Sequence, residues 1–370
     1  MKTISLPFLQ KLALVVFCLI GLGYLAIIGH SLLSPLLFSF LMSLLLLPVA
    51  NFLERRVHFK RSLASIVSVV LMLVLMVSLV YFLINQLSAL WEDWPLLKQQ
   101  VMTSFHDLQH WISTRFNVNT HRQIAYLNES TEKALSTSAV VVATTLATLS
   151  STFLFFLFTL LFTFFTLNYR RILFKFLTSV FEEESKAKVV EIVSQVQIIV
   201  KKYILGLFLQ MAIVSGLFIA VLSILEIKYA VLLGLIAGIF NVVPYLGIFT
   251  ALLISVLITF ATAGAGKVLL VIICFMGIHA IDGNILMPLV VGSKVKINPL
   301  ISFIGIIVGE MLWGISGMFL CIPYLAIMKI VFDRIDELKP WGMLMGDEEK
   351  PIRKKRVYQI TRKIRLEEQD

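Results

Sequence analysis

The sequence predicts an all-α, polytopic membrane protein with about eight transmembrane segments, some of them broken, and an external amphipathic helical insert. Of its 370 residues, 59% are hydrophobic and only 15% are charged, and the mean hydropathy is +0.93. A soluble domain must cover itself with more polar surface than this. The apolar stretches are continuous runs long enough to cross a bilayer as helices, whereas the strands of a membrane β-barrel alternate in polarity.

The apolar segments follow one another along the chain. They run over residues 11–29, 31–50, 63–87, 139–168, 203–225, 230–262, 267–291 and 299–332. The last three contain Pro or Gly within the apolar run, so we expect some of them to be broken or re-entrant. The predicted organisation is therefore three transmembrane helices in residues 1–87, the external insert in 88–138, a fourth transmembrane helix in 139–168, a cytoplasmic amphipathic segment in 169–202, a transport-motif bundle in 203–332 and a charged cytoplasmic tail in 333–370.

Basic residues indicate how the segments are oriented, because Lys and Arg accumulate in loops that stay in the cytoplasm. One basic cluster follows the second segment and another follows the fourth. Their members are Arg55, Arg56, Lys60 and Arg61 in the first, and Arg170, Arg171, Lys175, Lys186, Lys188, Lys201 and Lys202 in the second. If every segment crosses, both termini are cytoplasmic, and Lys294 and Lys296 lie outside as exceptions to the rule. The net charge of +10 is ascribed to cytoplasmic loops and not to nucleic-acid binding.

Two polar regions between the segments have an apolar stripe at helical spacing. In the external insert the stripe consists of Leu90, Trp94, Leu97, Val101, Phe105, Leu108 and Ile112. In the cytoplasmic segment it consists of Val189, Ile192, Val193, Val196, Ile199, Val200 and Tyr203. Repeats at steps of three and four predict amphipathic helices that lie against the bundle, a neighbouring subunit or the headgroup layer.

Asp282 is the most informative polar residue, because it stands with Gly283 and Asn284 in an otherwise apolar run from Val268 to Val291. An Asp near the bilayer centre costs about 3 kcal/mol on insertion scales, so we expect it to face a polar cavity or a partner. It is interpreted as a contact for an ion, a proton or a solute. The alternative is that it caps a half-helix at the break made by Gly283 and Pro288, and the two roles are compatible.

Glu310 is a second carboxylate within an apolar run, and no Lys or Arg lies near it in the sequence. It is therefore expected to be protonated or to meet a cavity or a distant cation. The surrounding glycines, with Gly305 and Gly309 four residues apart, allow an alternative in which they only let helices approach closely.

Pro244 marks a third break, in the stretch from Gly234 to Gly247. Its ring removes a backbone donor and exposes carbonyl groups near Phe240 and Asn241, which could coordinate a cation or a polar solute. A simple proline kink explains the same residues equally well.

Several functions are excluded or disfavoured by what the sequence lacks. No Walker A motif, nucleophile elbow, HExxH or GxGxxG turn is present, so neither an enzyme nor a nucleotide-driven pump is predicted, and no cofactor is expected. Cys18, Cys274 and Cys321 stand singly and predict neither disulfides nor a thiolate metal site. His106 and His110 have metal-ligand spacing but no clear third ligand, so no metal site is predicted.

Three motifs together resemble the autoinducer-2 exporter family of bacterial membrane proteins. They are GLIAGIFNVVPYLG, IDGNILMPLVVGSKVKINPL and GEMLWGISGMFLCIPYLAI, and the order of three spans, an external insert and five further segments also matches. The resemblance implies a multi-pass protein of the bacterial inner membrane that forms a homo-oligomer such as a pentamer and exports autoinducer-2 or exchanges sodium or lithium for protons. The substrate or ion-binding candidates that it implies are Asn241, Pro244, Tyr245, Gly247, Asp282, Asn284, Pro288, Gly292, Glu310, Gly314, Gly317 and Pro323.

Three functional hypotheses follow. The first is a gradient-driven secondary transporter, in which Asp282 and Glu310 bind a coupling ion and Asn241 and Asn284 contact a small polar solute. The second is a sodium/proton antiporter that uses the same carboxylates without an organic cargo. The third is a scaffold that does not transport and binds partners through the external helix from Leu90 to Phe116.

Overall fold

The computed structural model describes residues 7–93, 138–242, 246–291 and 297–346, together with positions 95, 99, 100 and 103. Apart from one isolated bridge between Ile297 and Gly346, this part of the chain contains helices, turns and short connections and no strand. The all-α polytopic fold is confirmed. The helices are α1 (Phe8–Ile28), α2 (His30–Arg55), α3 (Arg61–Glu92), α4 (Ser138–Ser179), α5 (Glu183–Ile224), α6 (Ala230–Phe240), α7 (Leu246–Ala263), α8 (Ala265–Ile281) with a π-helical continuation (Asp282–Val291), α9 (Pro299–Phe332), a 3₁₀ turn (Asp336–Leu338) and α10 (Lys339–Met345).

Six stretches of helix in the described ranges are long and apolar enough to cross a bilayer. They are His30–Arg55, Arg61–Glu92, Ser150–Ser179, Glu183–Ile224, Gly266–Leu289 and Pro299–Phe332, and the shorter apolar helices are Leu12–Ile28, Ala230–Phe240 and Gly247–Ala263. Every predicted segment is thus helical, but the segment predicted at 230–262 is two helices. The stripe of the external insert lies outside the described residues beyond Leu90, as do His106 and His110.

Helix α5 is the central element, because its two halves belong to different cores. Its first half packs with α2 and α9 around Leu41, Val200, Ile204 and Leu320. Its second half packs with α6, α7 and α8 in a four-helix core that contains Phe218. Residues 169–179 of the predicted cytoplasmic segment belong to the end of α4, and residues 183–202 form the start of α5. The apolar stripe is a packed face: Val189, Val196 and Val200 are buried, and Ile192, Ile199 and Tyr203 lie against the core.

Helix α9 is a hairpin and not one straight span. Trp313 leaves the helical conformation, and Gly314 has φ +60° and ψ −138°, a combination that only glycine adopts without strain. The two arms then run back to back, since a Cβ added at Gly317 would lie 1.9 Å from the carbonyl oxygen of Gly309. At the open end, the N–H of Asn298 donates to the carbonyl oxygen of Met345 at 2.8 Å, so both ends of α9 lie on the same side of the molecule.

The ends of the long helices define two faces of the described chain. We call one the basic face: there Arg61 at the start of α3 and Arg170 and Arg171 near the end of α4 surround Glu54 near the end of α2. The face at the other ends of these helices is called the opposite face. Arg334, just after α9, pairs with Glu191 of α5 at 3.3 Å and so places the open end of the hairpin on the basic face as well.

The opposite face is joined by a contact between α3 and the loop before α6. Lys228 Nζ lies 2.6 Å from the Asp93 carboxylate, and the Tyr229 hydroxyl donates to the same carboxylate. Hydrogen bonds from Lys228 and Tyr229 hold the pKa of Asp93 below its usual value, and the bond to Asp93 raises the pKa of Lys228. Lys267, at the start of α8, lies beside the same loop, with Nζ 2.9 Å from the carbonyl oxygen of Leu225.

Candidate functional site

Asp282 is buried where α8 changes into its π-helical continuation, and two amide side chains hold it. It is 4% exposed. Gln210 Nε2 of α5 donates to its Oδ1 at 2.8 Å, and Asn241 Nδ2, at the end of α6, donates to its Oδ2 at 2.9 Å. One carboxylate therefore joins three elements that lie far apart in the sequence.

The local sequence explains why the helix changes here. Pro288 has no N–H to give to the backbone ladder, and Gly283 has the weak helix propensity that eases a change of winding. A π-helical turn is rare and is often found at functional sites. Asp282 itself continues the buried face of α8 that Val271, Phe275 and Ile278 form at steps of three and four residues.

Glycines allow α5, which carries Gln210, and α6, which precedes Asn241, to pack closely together. Helices α5 and α6 are antiparallel, and Gly234 and Gly238, one turn apart on α6, lie so near α5 that an added Cβ would meet Ile219 and Ser215. This close approach is typical of glycines four residues apart in membrane helices. At the end of α6 the chain turns back, and a Cβ at Gly247 would lie 1.6 Å from the carbonyl oxygen of Phe240. The turn between α6 and α7 thus carries Asn241 to Asp282.

The space beside Asp282 is small and mostly apolar. A cavity of about 10 Å³ lies there, which is only just enough for one water molecule. Its lining consists of Val214, Phe218, Ala237, Asn241, Ile248, Phe275, Ile278, His279 and Asp282. The ring centroids of Phe218 and Phe275 lie 4.3 Å apart, and the two rings form the apolar wall of the cavity. The site in this conformation encloses a carboxylate and two amides with no space for an organic solute.

The described surroundings pair Asp282 with neutral hydrogen-bond donors and not with a cation. In the part of the chain that the structure describes, no Lys or Arg forms an ion pair with Asp282, and both of its hydrogen-bond partners are neutral. Burying an ionised carboxylate without a cation costs several kcal/mol, and uptake of a proton or a positive ion removes that cost. No cluster of three or more His, Cys, Asp or Glu side chains suited to a metal occurs within these residues.

Of the remaining candidates of the first two motifs, the structure describes Gly247, Asn284 and Pro288, and none of these three is a hydrogen-bond partner of Asp282. Gly247 is the second residue of α7 and lies against the carbonyl oxygen of Phe240. Asn284 is exposed, and its Nδ2 donates to the carbonyl oxygen of Ala280 at 2.8 Å, one turn back in its own helix. Pro288 is exposed on the same segment. Pro244, Tyr245 and Gly292 lie outside the described residues.

The candidates of the third motif belong to the α9 hairpin, which packs against α1, α2 and α5. Glu310 is exposed on the first arm, Gly314 forms the tip, and Gly317 and Pro323 are buried between the arms and the bundle. Trp313 Nε1 donates to the carbonyl oxygen of Ala26 at 2.9 Å and fixes the tip against α1. The nine predicted residues that the structure describes therefore divide between two places.

Gln210 is the residue that the sequence analysis missed. It lies within the apolar segment 203–225, in the stretch GLFLQMAIV, and it is 7% exposed. An amide in the middle of an apolar span was the available signal, because such a group must find a hydrogen-bond partner inside the protein. Gln210 lies outside the three motifs that the resemblance rests on.

Comparison with known proteins gives one family. A family model described as AI-2E family transporter matches residues 12–337. The AI-2 transport protein TqsA of Escherichia coli (strain K12) is 23% identical over 348 residues, covering 92% of this chain and 98% of its own. YrrI and YueF of Bacillus subtilis (strain 168), provisionally named as transport proteins, are 36% and 35% identical over 105 and 112 residues, and the matched part spans 30% of the length of each.

Proposed function

Because the family match runs from residue 12 to residue 337, the chain belongs to the AI-2E transporter family, and we propose that it is a gradient-driven secondary transporter of a small polar solute. It is a multi-pass membrane protein of a transport family, and autoinducer-2, which the name of TqsA specifies, is the first solute to test. We place it in the bacterial inner membrane with the basic face in the cytoplasm.

The buried Asp282 held by Gln210 and Asn241 is the observation that carries this proposal. When a buried carboxylate with two neutral partners binds a proton or a cation, the free energy gained is large because its charge is neutralised. Its hydrogen bonds change at the same time. The ion is therefore linked to the positions of α5, the turn after α6 and α8. Binding at a broken helix near the middle of the membrane is the usual arrangement in secondary transporters.

Movement of the hairpin α6–α7 would open the site. Its turn is held to Asp282 through Asn241, and both of its open ends lie at the opposite face beside Lys267 and Lys228. Neutralising the carboxylate weakens the charge-assisted bond to Asn241, so the hairpin is released and space for the solute forms. This sequence of events makes solute movement depend on ion binding.

The test is flux in proteoliposomes under an imposed proton gradient, with wild type and Asp282→Asn compared. The variant has nearly the same shape. One partner amide can still donate to the new side chain's oxygen and the other can turn to accept from its NH2 group, so the fold should persist. We expect driven uptake of labelled autoinducer-2 to fall about a hundredfold, since the coupling group is gone. Asp336→Asn, which neutralises an exposed carboxylate paired with Lys339, is the matched control and should retain full activity. Equal uptake by both variants would disprove the role of Asp282.

Sodium/proton exchange is the second candidate function, and the size of the cavity favours it. About 10 Å³ beside Asp282 suits a dehydrated ion or a water molecule better than a sugar-like solute. Sodium flux measured in the same vesicles separates the two functions. Exchange that occurs without any solute, and that Asp282→Asn abolishes, would favour the antiporter.

Association of several copies is part of the proposal. Glu310 is exposed in a segment that we place within the membrane, where a carboxylate facing lipid is costly. A neighbouring copy or a water-filled space between copies would remove that cost. The large apolar side chains exposed along α1, such as Phe17 at 77%, offer further surface for such contacts.

A further inference from the structure

Two buried hydroxyl groups on α7 have no hydrogen-bond partner among the described residues. Ser255 and Thr259 are both 0% exposed. Neither Ser255 Oγ nor Thr259 Oγ1 meets a donor or an acceptor there. Native proteins rarely leave buried polar groups unpaired, so a pair of them one turn apart requires an explanation.

Several other hydroxyls in the transmembrane helices donate to a carbonyl oxygen of their own helix. Thr262 on the same helix donates to the carbonyl oxygen of Ile258 at 2.8 Å, and Thr163 on α4 donates to that of Thr159 at 2.6 Å. This back-bond is the common solution for a hydroxyl in an apolar helix. Ser255 and Thr259 do not make it, which leaves both groups free to bond across the helix interface. Ser65 on α3 is also unpaired, but it lies one turn from the start of α3 at the basic face, away from α7.

The two hydroxyls lie on a face of α7 that begins at the functional site. Gly247, Ala251, Ser255 and Thr259 are four residues apart, so they share one face of the helix. All four are buried. Gly247, at the start of α7, lies against the carbonyl oxygen of Phe240, and Ala251 packs in the core that contains residues lining the Asp282 cavity. The face therefore leads from the cavity through the four-helix core of α5–α8.

At its other end this face reaches a water-accessible region. Helix α7 ends at Ala263 on the opposite face, where a cavity of about 430 Å³ is open to solvent. Its lining consists of Gln99, Gln100, Thr103, Phe260, Ala261, Thr262 and Gly264. Thr259 lies immediately before these lining residues in α7. Along this face of α7, Thr259 and Ser255, followed by Ala251 and Gly247, span the stretch from this cavity to the one beside Asp282.

We propose that Ser255 and Thr259 hold a file of water molecules through which protons pass between the opposite face and Asp282. The inference rests on the proposed function, in which Asp282 takes up and releases the coupling proton. Water both donates and accepts hydrogen bonds, so it satisfies a hydroxyl that apolar neighbours cannot. The polar side chains in the described ranges that bond to Asp282 or line its cavity are Gln210 of α5, Asn241 after α6 and His279 of α8.

Silver-ion labelling tests the water file without requiring transport. Ser255→Cys and Thr259→Cys are made in a background from which the three native cysteines are removed, and the rate of thiol loss to Ag⁺ is measured. Leu257→Cys, on the same helix but with a native side chain 55% exposed at the surface of the chain, is the matched control. We expect both buried positions to react about tenfold faster than the control, because Ag⁺ travels through water and not through lipid. Equal or slower reaction at both positions would overturn the water file.

The proton role is tested with the double variant Ser255→Ala/Thr259→Val, which removes both hydroxyls and keeps the side-chain volumes close. We expect proton-driven solute uptake to fall about tenfold while solute exchange at equal pH stays within about twofold of wild type, since exchange needs no net proton movement. Unchanged driven uptake, or equal loss of both activities, would overturn the proton role. If the wild type itself moves no solute, the proposed function fails, whereas the silver result still decides whether water reaches these residues.

Discussion

Asp282 and its partners show what single residues contribute. The sequence indicated Asp282 because a charge in an apolar segment is costly. Its environment depends on Gln210 and Asn241, which lie 72 and 41 residues away in the chain. Because each amide bonds a different carboxylate oxygen, the removal of either leaves one oxygen without a partner.

Gln210→Leu is the variant that tests this arrangement at the residue scale. Leaving a buried carboxylate oxygen unpaired costs about 1–3 kcal/mol, so both the thermal stability of the purified protein and the proton-driven flux should fall, the flux by about tenfold. Asn284→Ala is the control, because Asn284 bonds only its own helix and faces away from the cluster. A strong loss of flux in Asn284→Ala, together with normal flux and stability in Gln210→Leu, would contradict this arrangement. It would instead favour the solute contact of Asn284 that the motif resemblance implied.

The α9 hairpin is the clearest case at the scale of elements. Hydropathy identified one apolar segment at 299–332, and its glycines were open to two interpretations, close packing or a site. The structure uses them for close packing between the two arms of a single hairpin, with Gly309 against Gly317 and Gly314 at the tip. A straight helix over residues 299–332 and the hairpin have the same composition. Hydropathy therefore cannot distinguish them, and only the contacts between the two arms do.

Gly317→Ala should therefore loosen the hairpin. The new methyl group would lie 1.9 Å from the carbonyl oxygen of Gly309, so the arms must separate, at a cost of about 1–3 kcal/mol. Gly277→Ala on α8 is the matched control, because no atom lies within 4 Å of the added carbon, and it should be neutral or slightly stabilising. Melting temperatures of the two purified variants, measured in the same detergent, decide the point. Equal melting temperatures would argue against the hairpin.

At the scale of the whole molecule, two hairpins change the number of crossings. The hairpin α6–α7 opens to the opposite face and α9 opens to the basic face. We therefore expect the described chain from α2 onward to cross the membrane five times, through α2, α3, α4, α5 and α8 with its π-helical continuation. Ile297 lies at the basic face beside Gly346. The expected exception of Lys294 and Lys296 to the positive-inside rule assumed full crossings at both 230–262 and 299–332, and the two hairpins remove that assumption.

Cysteine labelling tests this topology. Asn298→Cys and Glu337→Cys, before and after α9, should react with a membrane-impermeant maleimide from the same side of sealed vesicles. Glu226→Cys, 87% exposed on the opposite face, should react from the other side and serves as the control. Reaction of the first two positions from different sides would show that α9 crosses the membrane as a single span.

The sequence by itself determined the class of the molecule, the positions of its apolar segments, the places where they break and the presence of a carboxylate, Asp282, within one of them. These are local properties: the free energy of placing a residue in the membrane depends on its own side chain, and Pro and Gly act on the turn that contains them. Only the tertiary structure decided that α9 folds back on itself and that Gln210 and Asn241 meet Asp282. Those contacts join residues far apart in the chain, and they depend on how closely the glycine-bearing faces allow the helices to pack.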